Sequence, residues 1–244
     1  MKKQLLILAT ITAIVFTSCS KEKIETPQTN QPEEIAGARG GGGGIVAPID
    51  LKKGLLGLYE FNGNLIEATG KLMTGSPNGS VFYTNDRKGM RGRAVKFNGS
   101  LDISLGNVPH SAKMSVSAWV KYDSANAMAS NFITSQSDGP RFMQVFNQYY
   151  AYNNPTSNPN VGSGAINNQW HFLVATIDGS TCRFYVDGSL VGSVASPDVE
   201  NLTTAMYLLG YGNTMETKWH GAIDDLRFYN RTITAAEVQA LFNL

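Results

Sequence analysis

Only two cysteines occur in the 244 residues, Cys19 and Cys182, too few for a disulfide framework, so stability must come from a packed apolar core. Charge is scarce as well. Asp, Glu, Lys and Arg make up 16% of the chain, with twenty basic side chains against nineteen acidic ones and a net charge of +1. Such a balance gives no field of one sign to attract nucleic acid or anionic lipid. Histidine is limited to His110, His171 and His220, none at the close spacing of a metal centre. There is no Gly-x-Ser-x-Gly elbow and no phosphate loop; the run Gly40 to Gly44 precedes no helix signal. Long apolar runs are missing too. The stretch from Leu5 to Phe16 stops at twelve residues, short of the roughly 20 that a membrane-spanning helix needs.

That short run fits an export signal. Lys2 and Lys3 precede it, and Phe16-Thr17-Ser18-Cys19 follows. A small residue directly before a cysteine resembles the bacterial lipobox, in which cleavage leaves the cysteine as a lipidated N-terminus. Residues 1–18 are therefore expected to be a lipoprotein signal peptide and Cys19 the lipidation site. Each buried methylene of an acyl chain contributes about 0.8 kcal/mol, so several chains hold a protein on a membrane. Residues 19–50 carry Pro27, Pro32, several Glu and Gln, and the glycine run. They are too polar to offset their own ordering entropy and read as a disordered tether. A flexible segment of about thirty residues reaches on the order of 30 Å. With Cys19 lipidated, Cys182 is the sole remaining thiol. Its alternation with Phe184 and Val186 places it on an apolar face, as a buried and inert cysteine.

Residues 51–244 are long enough for one substantial core. From Leu55 onward they show short β runs separated by turn chemistry. Leu55–Phe61 leads into Asn62-Gly63, Arg93–Phe97 into Asn98-Gly99, and Thr181–Val186 into Asp187-Gly188, pairs that tolerate the positive φ of tight hairpins. Gln169–Ile177 and Thr181–Val186 form a further hairpin across Asp178-Gly179. Met114–Tyr122 alternates: Val116, Ala118, Val120 and Tyr122 on one face, Ser115, Ser117, Trp119 and Lys121 on the other. Near the end, Thr234 and Glu237 form a capping box, with Ile233 and Val238 at staple positions. Val238, Leu241 and Phe242 give the resulting helix an apolar stripe, expected to seal an edge or end of the fold. The basic cluster Arg87, Lys88, Arg91, Arg93 and Lys96 reads as a solvated turn. The fold expected is an all-β, two-sheet antiparallel sandwich with one short C-terminal helix.

Several segments in order carry a family likeness. GLLGLYEFNGNLIEATG, GMRGRAVKFNGSLDISL, MSVSAWVKYD, NQWHFLVATIDGSTCRFYVDGSLVG and GAIDDLRFYNRTITAAEVQALF resemble successive strands and turns of laminin G-like jelly rolls in the concanavalin A-like lectin/glucanase superfamily. Asn98 stands where aspartate is usual. The resemblance implies two curved antiparallel sheets, and the lipoprotein layout is similar to proteins of Bacteroidota, which implies an outer-membrane lipoprotein facing periplasm or cell surface.

The glucanase branch of that superfamily carries its catalytic pair as Glu-x-Asp-x-x-Glu on one strand. Retaining hydrolysis needs two carboxylates about 5–5.5 Å apart, which period-two spacing provides. The motif is absent: Glu60, Glu67, Asp178, Asp187 and Glu216 are isolated, and Asp224 and Asp225, being adjacent, are expected to face opposite ways. The chain therefore reads as non-catalytic, with an atypical glycosidase as the remote alternative. The resemblance also implies a structural calcium ion held by an aspartate of the last strand; Asp224 matches it, and Gly99 and Glu60 are the further candidate oxygen donors. Asp224 and Asp225 could equally bond loop amides or pair with Arg227 or Arg231. For a ligand, Trp119 lies on the polar face of its strand, and Tyr150 and Tyr152 share a face in an aromatic stretch rich in Asn. Aromatic faces beside amides suit a pyranose ring. The expected partner is a glycan or another surface ligand, and the alternative is an adhesive role on protein partners.

Overall fold

The computed structural model describes residues 48–109, 111–123, 129–135, 142–146, 149–153, 161–165, 168–195, 204–212 and 218–244. The expected signal, Cys19 and nearly all of the tether lie outside the described residues. No helix among the described residues is long and apolar enough to cross a membrane.

Among the described residues, fifteen strands build two antiparallel sheets. The first contains β1 (Leu55–Tyr59), β3 (Phe82–Thr84), β4 (Ala94–Asn98), β6 (Lys113–Tyr122), β11 (His171–Asp178), β12 (Thr181–Val186), β13 (Ser189–Ala195) and β15 (His220–Tyr229). Its order is β13-β12-β11-β6-β15-β4-β3, with β1 also paired to the far half of β15. The second contains β2 (Ser76–Asn78), β5 (Asp102–Pro109), β7 (Ala129–Ser135), β8 (Phe142–Phe146), β9 (Tyr149–Asn153), β10 (Val161–Ala165) and β14 (Thr204–Leu209), in the order β10-β9-β8-β7-β14-β5-β2. This is the two-sheet antiparallel sandwich expected from the alternation and the turns, in the jelly-roll form that the family resemblance implies.

The turns work as their sequences require. Asp187 and Gly188 both take positive φ, 51° and 82°, and reverse the chain between β12 and β13. Between the sheets lies the main core, with Val116, Ala118, Val120 and Tyr122 from β6 meeting Leu173, Phe184, Ile223 and Phe228 from the first sheet and Ile103, Leu105, Phe132, Tyr207 and Leu209 from the second. Cys182 is fully buried there. Among the described residues Trp219 is the largest fully enclosed side chain, tilted against Tyr122 and Phe132. Gly221 is needed where β15 meets β6, because a Cβ there would collide with the Lys121 carbonyl oxygen.

The helix α1 (Ala235–Phe242) starts at the expected capping box: Thr234 accepts from the Glu237 amide, and the Glu237 carboxylate accepts from the Thr234 amide. A bidentate pair from Arg231 fixes that carboxylate, and this contact holds its pKa down to about 2. The helix does not seal an edge or an end. It lies over the outer face of the first sheet, where Val238, Leu241 and Phe242 cover Trp119, Phe172, Val174 and Tyr185 in a second, smaller core. The reason is compositional: the outer faces of β11 and β12 carry Phe172, Val174 and Tyr185, and each large apolar side chain gains about 1.5–3 kcal/mol by leaving water.

Candidate functional site

Trp119 leaves the main core, as the alternation of β6 demands, but it is not an open platform. Only 9% of it is exposed. Phe242 stacks on its ring at 5.6 Å, Phe172 lies at 5.3 Å, and the Arg87 guanidinium sits 4.9 Å above it. Nor does the structure bring Trp119 together with Tyr150 and Tyr152. Those residues occupy β9, in the other sheet, and their side chains lie outside the described residues.

The basic cluster is also not a simple solvated turn. Asp86 ties its loop by accepting from the amides of Lys88 and Met90, at 2.9 and 2.7 Å. This aims Arg87 inward, where Nη1 meets Asp224 Oδ2 at 2.9 Å and Asp225 Oδ2 at 2.6 Å. Asp224 and Asp225 therefore do not face opposite ways. A bulge in β15 between Asp224 and Arg227 interrupts the alternation, and Asp225 takes φ = 50°, which turns both carboxylates toward one guanidinium. Burial, reinforced by the Asp225 charge and opposed by Arg87, pushes the Asp224 carboxyl up to about 7. Two carboxylates this close invite comparison with a hydrolytic pair, but both are engaged by Arg87, and neither is in the lining of the two cavities beside Trp170.

The same geometry bears on calcium. Asp224 is 3% exposed and already neutralised by a guanidinium. Gly99 belongs to the other end of β15: it extends the Asn98–His220 pairing and packs on the His220 ring. Glu60 is exposed at the end of β1. Asp224 and Gly99 thus lie toward opposite ends of the β15–β4 pairing, and the described residues hold no group of three His, Cys, Asp or Glu side chains fit for a metal.

The residue that the sequence reading passed over is Trp170. It precedes β11, next to the exposed Asn168 and Gln169, with Asn168 at φ = 57°. Asp187 anchors this corner. Its Oδ1 accepts from the Phe172 amide at 2.8 Å, and its Oδ2 lies 2.7 Å from His171 Nδ1. Trp170 is half-buried, and two cavities adjoin it on the outer face of the first sheet. One, of about 590 Å³, is bounded by Trp119, Trp170 and Phe242 with Gln169, Asp187 and Asn243 at its rim. The other, of about 430 Å³, is polar and runs over Ala222 between Lys96 and Lys121, with Asn85 and Asp123. Arg87 and Trp170 border both, so the two form one groove with an aromatic half and a charged half. A Gln-Trp pair next to turn-forming Asn168 was the available signal in sequence.

Comparison with known proteins agrees with this architecture. The family model described as the concanavalin A-like lectin/glucanases superfamily matches residues 96–239. No curated protein matches the chain. Among solved structures, domain 4 of AbnA, a GH43 extracellular arabinanase from Geobacillus stearothermophilus determined with arabinotriose, superposes with a TM-score of 0.66 at 23% identity, covering 77% of this chain and 97% of that one. The binding domain of Paraclostridial Mosquitocidal Protein 1 gives 0.63 at 13% identity, covering 80% and 53%. A botulinum neurotoxin type C structure, from work tying cell entry to two ganglioside molecules, gives 0.61 at 12% identity, covering 79% and 51%. The chain spans about half the length of these toxin domains, and at such identities the likeness is one of fold.

Proposed function

The chain belongs to the concanavalin A-like lectin/glucanases superfamily, and within it we propose a non-catalytic carbohydrate-binding lipoprotein whose ligand lies in the groove at Trp170. The observation that carries this reading is the groove itself: a half-buried indole between an aromatic and a polar cavity, with the amides of Gln169, Asn243 and Asn85 along its rim. A pyranose presents a C–H face that stacks on an aromatic ring and hydroxyls that bond to amides. The arabinotriose and ganglioside recorded for two proteins of similar fold support the ligand class. Catalysis is left out because the carboxylates at the groove are already engaged: Asp86 accepts from the Lys88 and Met90 amides, Asp123 pairs with Lys96, and Asp224 and Asp225 are held by Arg87.

Trp170→Ala is expected to fold and to weaken oligosaccharide binding several-fold in titration calorimetry, since one aromatic–sugar stack is worth on the order of 1 kcal/mol. Unchanged affinity would move the site elsewhere. A wild type that binds no member of a broad glycan array would transfer the role to protein partners. Anchoring is a separate part of the proposal. Residues 1–18 would be cleaved and Cys19 acylated, placing the domain on the outer membrane through residues 19–50. Cys19→Ala is expected to abolish incorporation of labelled palmitate; equal labelling of the variant would remove the anchor.

A further inference from the structure

The polar half of the groove has a feature that stacking on Trp170 does not use. Ala222 of β15 is the register partner of Lys121 on β6 and of Lys96 on β4, so the three lie in one row across three strands. Neighbouring strands are about 4.8 Å apart, which sets the two lysine backbones roughly 10 Å from each other with only a methyl group between them. Ala222, Lys96 and Lys121 all line the cavity of about 430 Å³, and Trp170 borders it.

The charges in this notch are unequally committed. Asp86 spends its Oδ1 on the Lys88 and Met90 amides, and Asp123 pairs with Lys96. Arg87 faces Asp224 and Asp225. The Lys121 ammonium has no ion pair or hydrogen bond among the described residues. Burial, and then repulsion by Lys121, lower the Lys96 ammonium below the usual lysine range. An anion between the two ammonium groups would relieve that repulsion and give Lys121 a partner.

We propose that the ligand is an anionic saccharide, its ring against Trp170 and its carboxylate or sulfate in the notch over Ala222 between Lys121 and Lys96. This rests on the carbohydrate-binding reading above and narrows it to a chemical class. The ring and the anion are read by different residues, so they separate in experiment.

The test uses the full chain and trimers of galacturonate, mannuronate and glucuronate, each as free acid and as methyl ester, in titration calorimetry at low salt. At least one acid is expected to bind about tenfold more tightly than its ester, the scale of one hydrogen bond to a charged group. Lys121→Gln, with an unchanged melting curve, is expected to remove that difference between acid and ester. Esters that bind as well as acids, or an acid preference that survives Lys121→Gln, overturn the anionic assignment while leaving the carbohydrate reading intact. Displacement of the acid trimer by an equal concentration of sodium sulfate also overturns it, because the notch would then hold a plain anion. If neither acids, esters nor neutral oligosaccharides bind, both readings fall.

Discussion

Trp119→Ala is expected to cost the domain about 3 kcal/mol of stability rather than ligand affinity alone. The side chain is 9% exposed and packs between Phe172 and Phe242, so its removal empties the centre of the smaller core. Truncating a buried Trp to Ala costs about 3–5 kcal/mol. Part of this is returned, because Trp119 Nε1 is buried without a hydrogen-bond partner, and losing an unsatisfied donor relieves about 1–3 kcal/mol. At roughly 2–4 °C per kcal/mol for a domain of this size, the melting temperature should fall by about 10 °C. Trp119→Phe should retain most of the stability. A Trp119→Ala variant that melts like the wild type but no longer binds ligand would show Trp119 to be a platform after all. The contrast with Trp170→Ala separates the aromatic residue that holds the sheet and helix together from the one that faces the groove.

The second large effect belongs to the Arg87 clamp. Arg87→Met keeps the volume of the side chain but leaves buried Asp224 facing Asp225 with no guanidinium of its own, Asp225 keeping only Arg227 at 3.6 Å. Removing one partner of a buried ion pair costs about 3–5 kcal/mol, and the contact over Trp119 adds a further ~0.5–2 kcal/mol. The loss should depend on pH. The Asp224 carboxyl titrates near 7 in the folded protein against an ordinary value of 3.8, raised by burial first and by Asp225 second. A carboxyl whose folded pKa lies above its unfolded one contributes stability that is complete below about 3.8 and is lost as pH rises through about 7. The interval corresponds to roughly 4 kcal/mol. Arg87→Met should therefore be most damaging near pH 8 and milder near pH 5, where Asp224 takes up a proton. Asp224→Asn removes the titration, so its stability relative to wild type should improve as pH rises from 5 to 8, while Arg87 stays paired with Asp225. Denaturant melts at the two pH values check both variants; parallel pH profiles for wild type and Asp224→Asn would refute the assignment.

Much of this structure could be read from the chain. Alternation in β6 assigned every side chain from Met114 to Tyr122 to its face, because a strand has a period of two whatever surrounds it. The Asp187-Gly188 turn and the Thr234–Glu237 box were equally legible, since each is complete within a few residues. The groove was not. Its walls come from the loop before β4, the start of β11, the last residues of β6 and the end of α1, and no local pattern states that these meet.

What the sequence determined by itself is the set of local choices: two sheets of short strands, the turns between them, an inert buried Cys182 and a capped helix. What the tertiary structure alone decided is what covers what. The face carrying Ser117, Trp119 and Lys121 looks uniformly polar in sequence, yet α1 dries one half of it, leaving Ser117 Oγ and Trp119 Nε1 buried without partners, while Lys121 stays in the groove. Likewise, adjacency predicted that Asp224 and Asp225 would diverge, and a single bulge with Asp225 at positive φ made them converge on Arg87, 137 residues from Asp224. Periodicity holds only while the hydrogen-bond ladder is regular; where packing inserts a residue or lays a helix, contacts distant in sequence set burial, charge and the shape of the site.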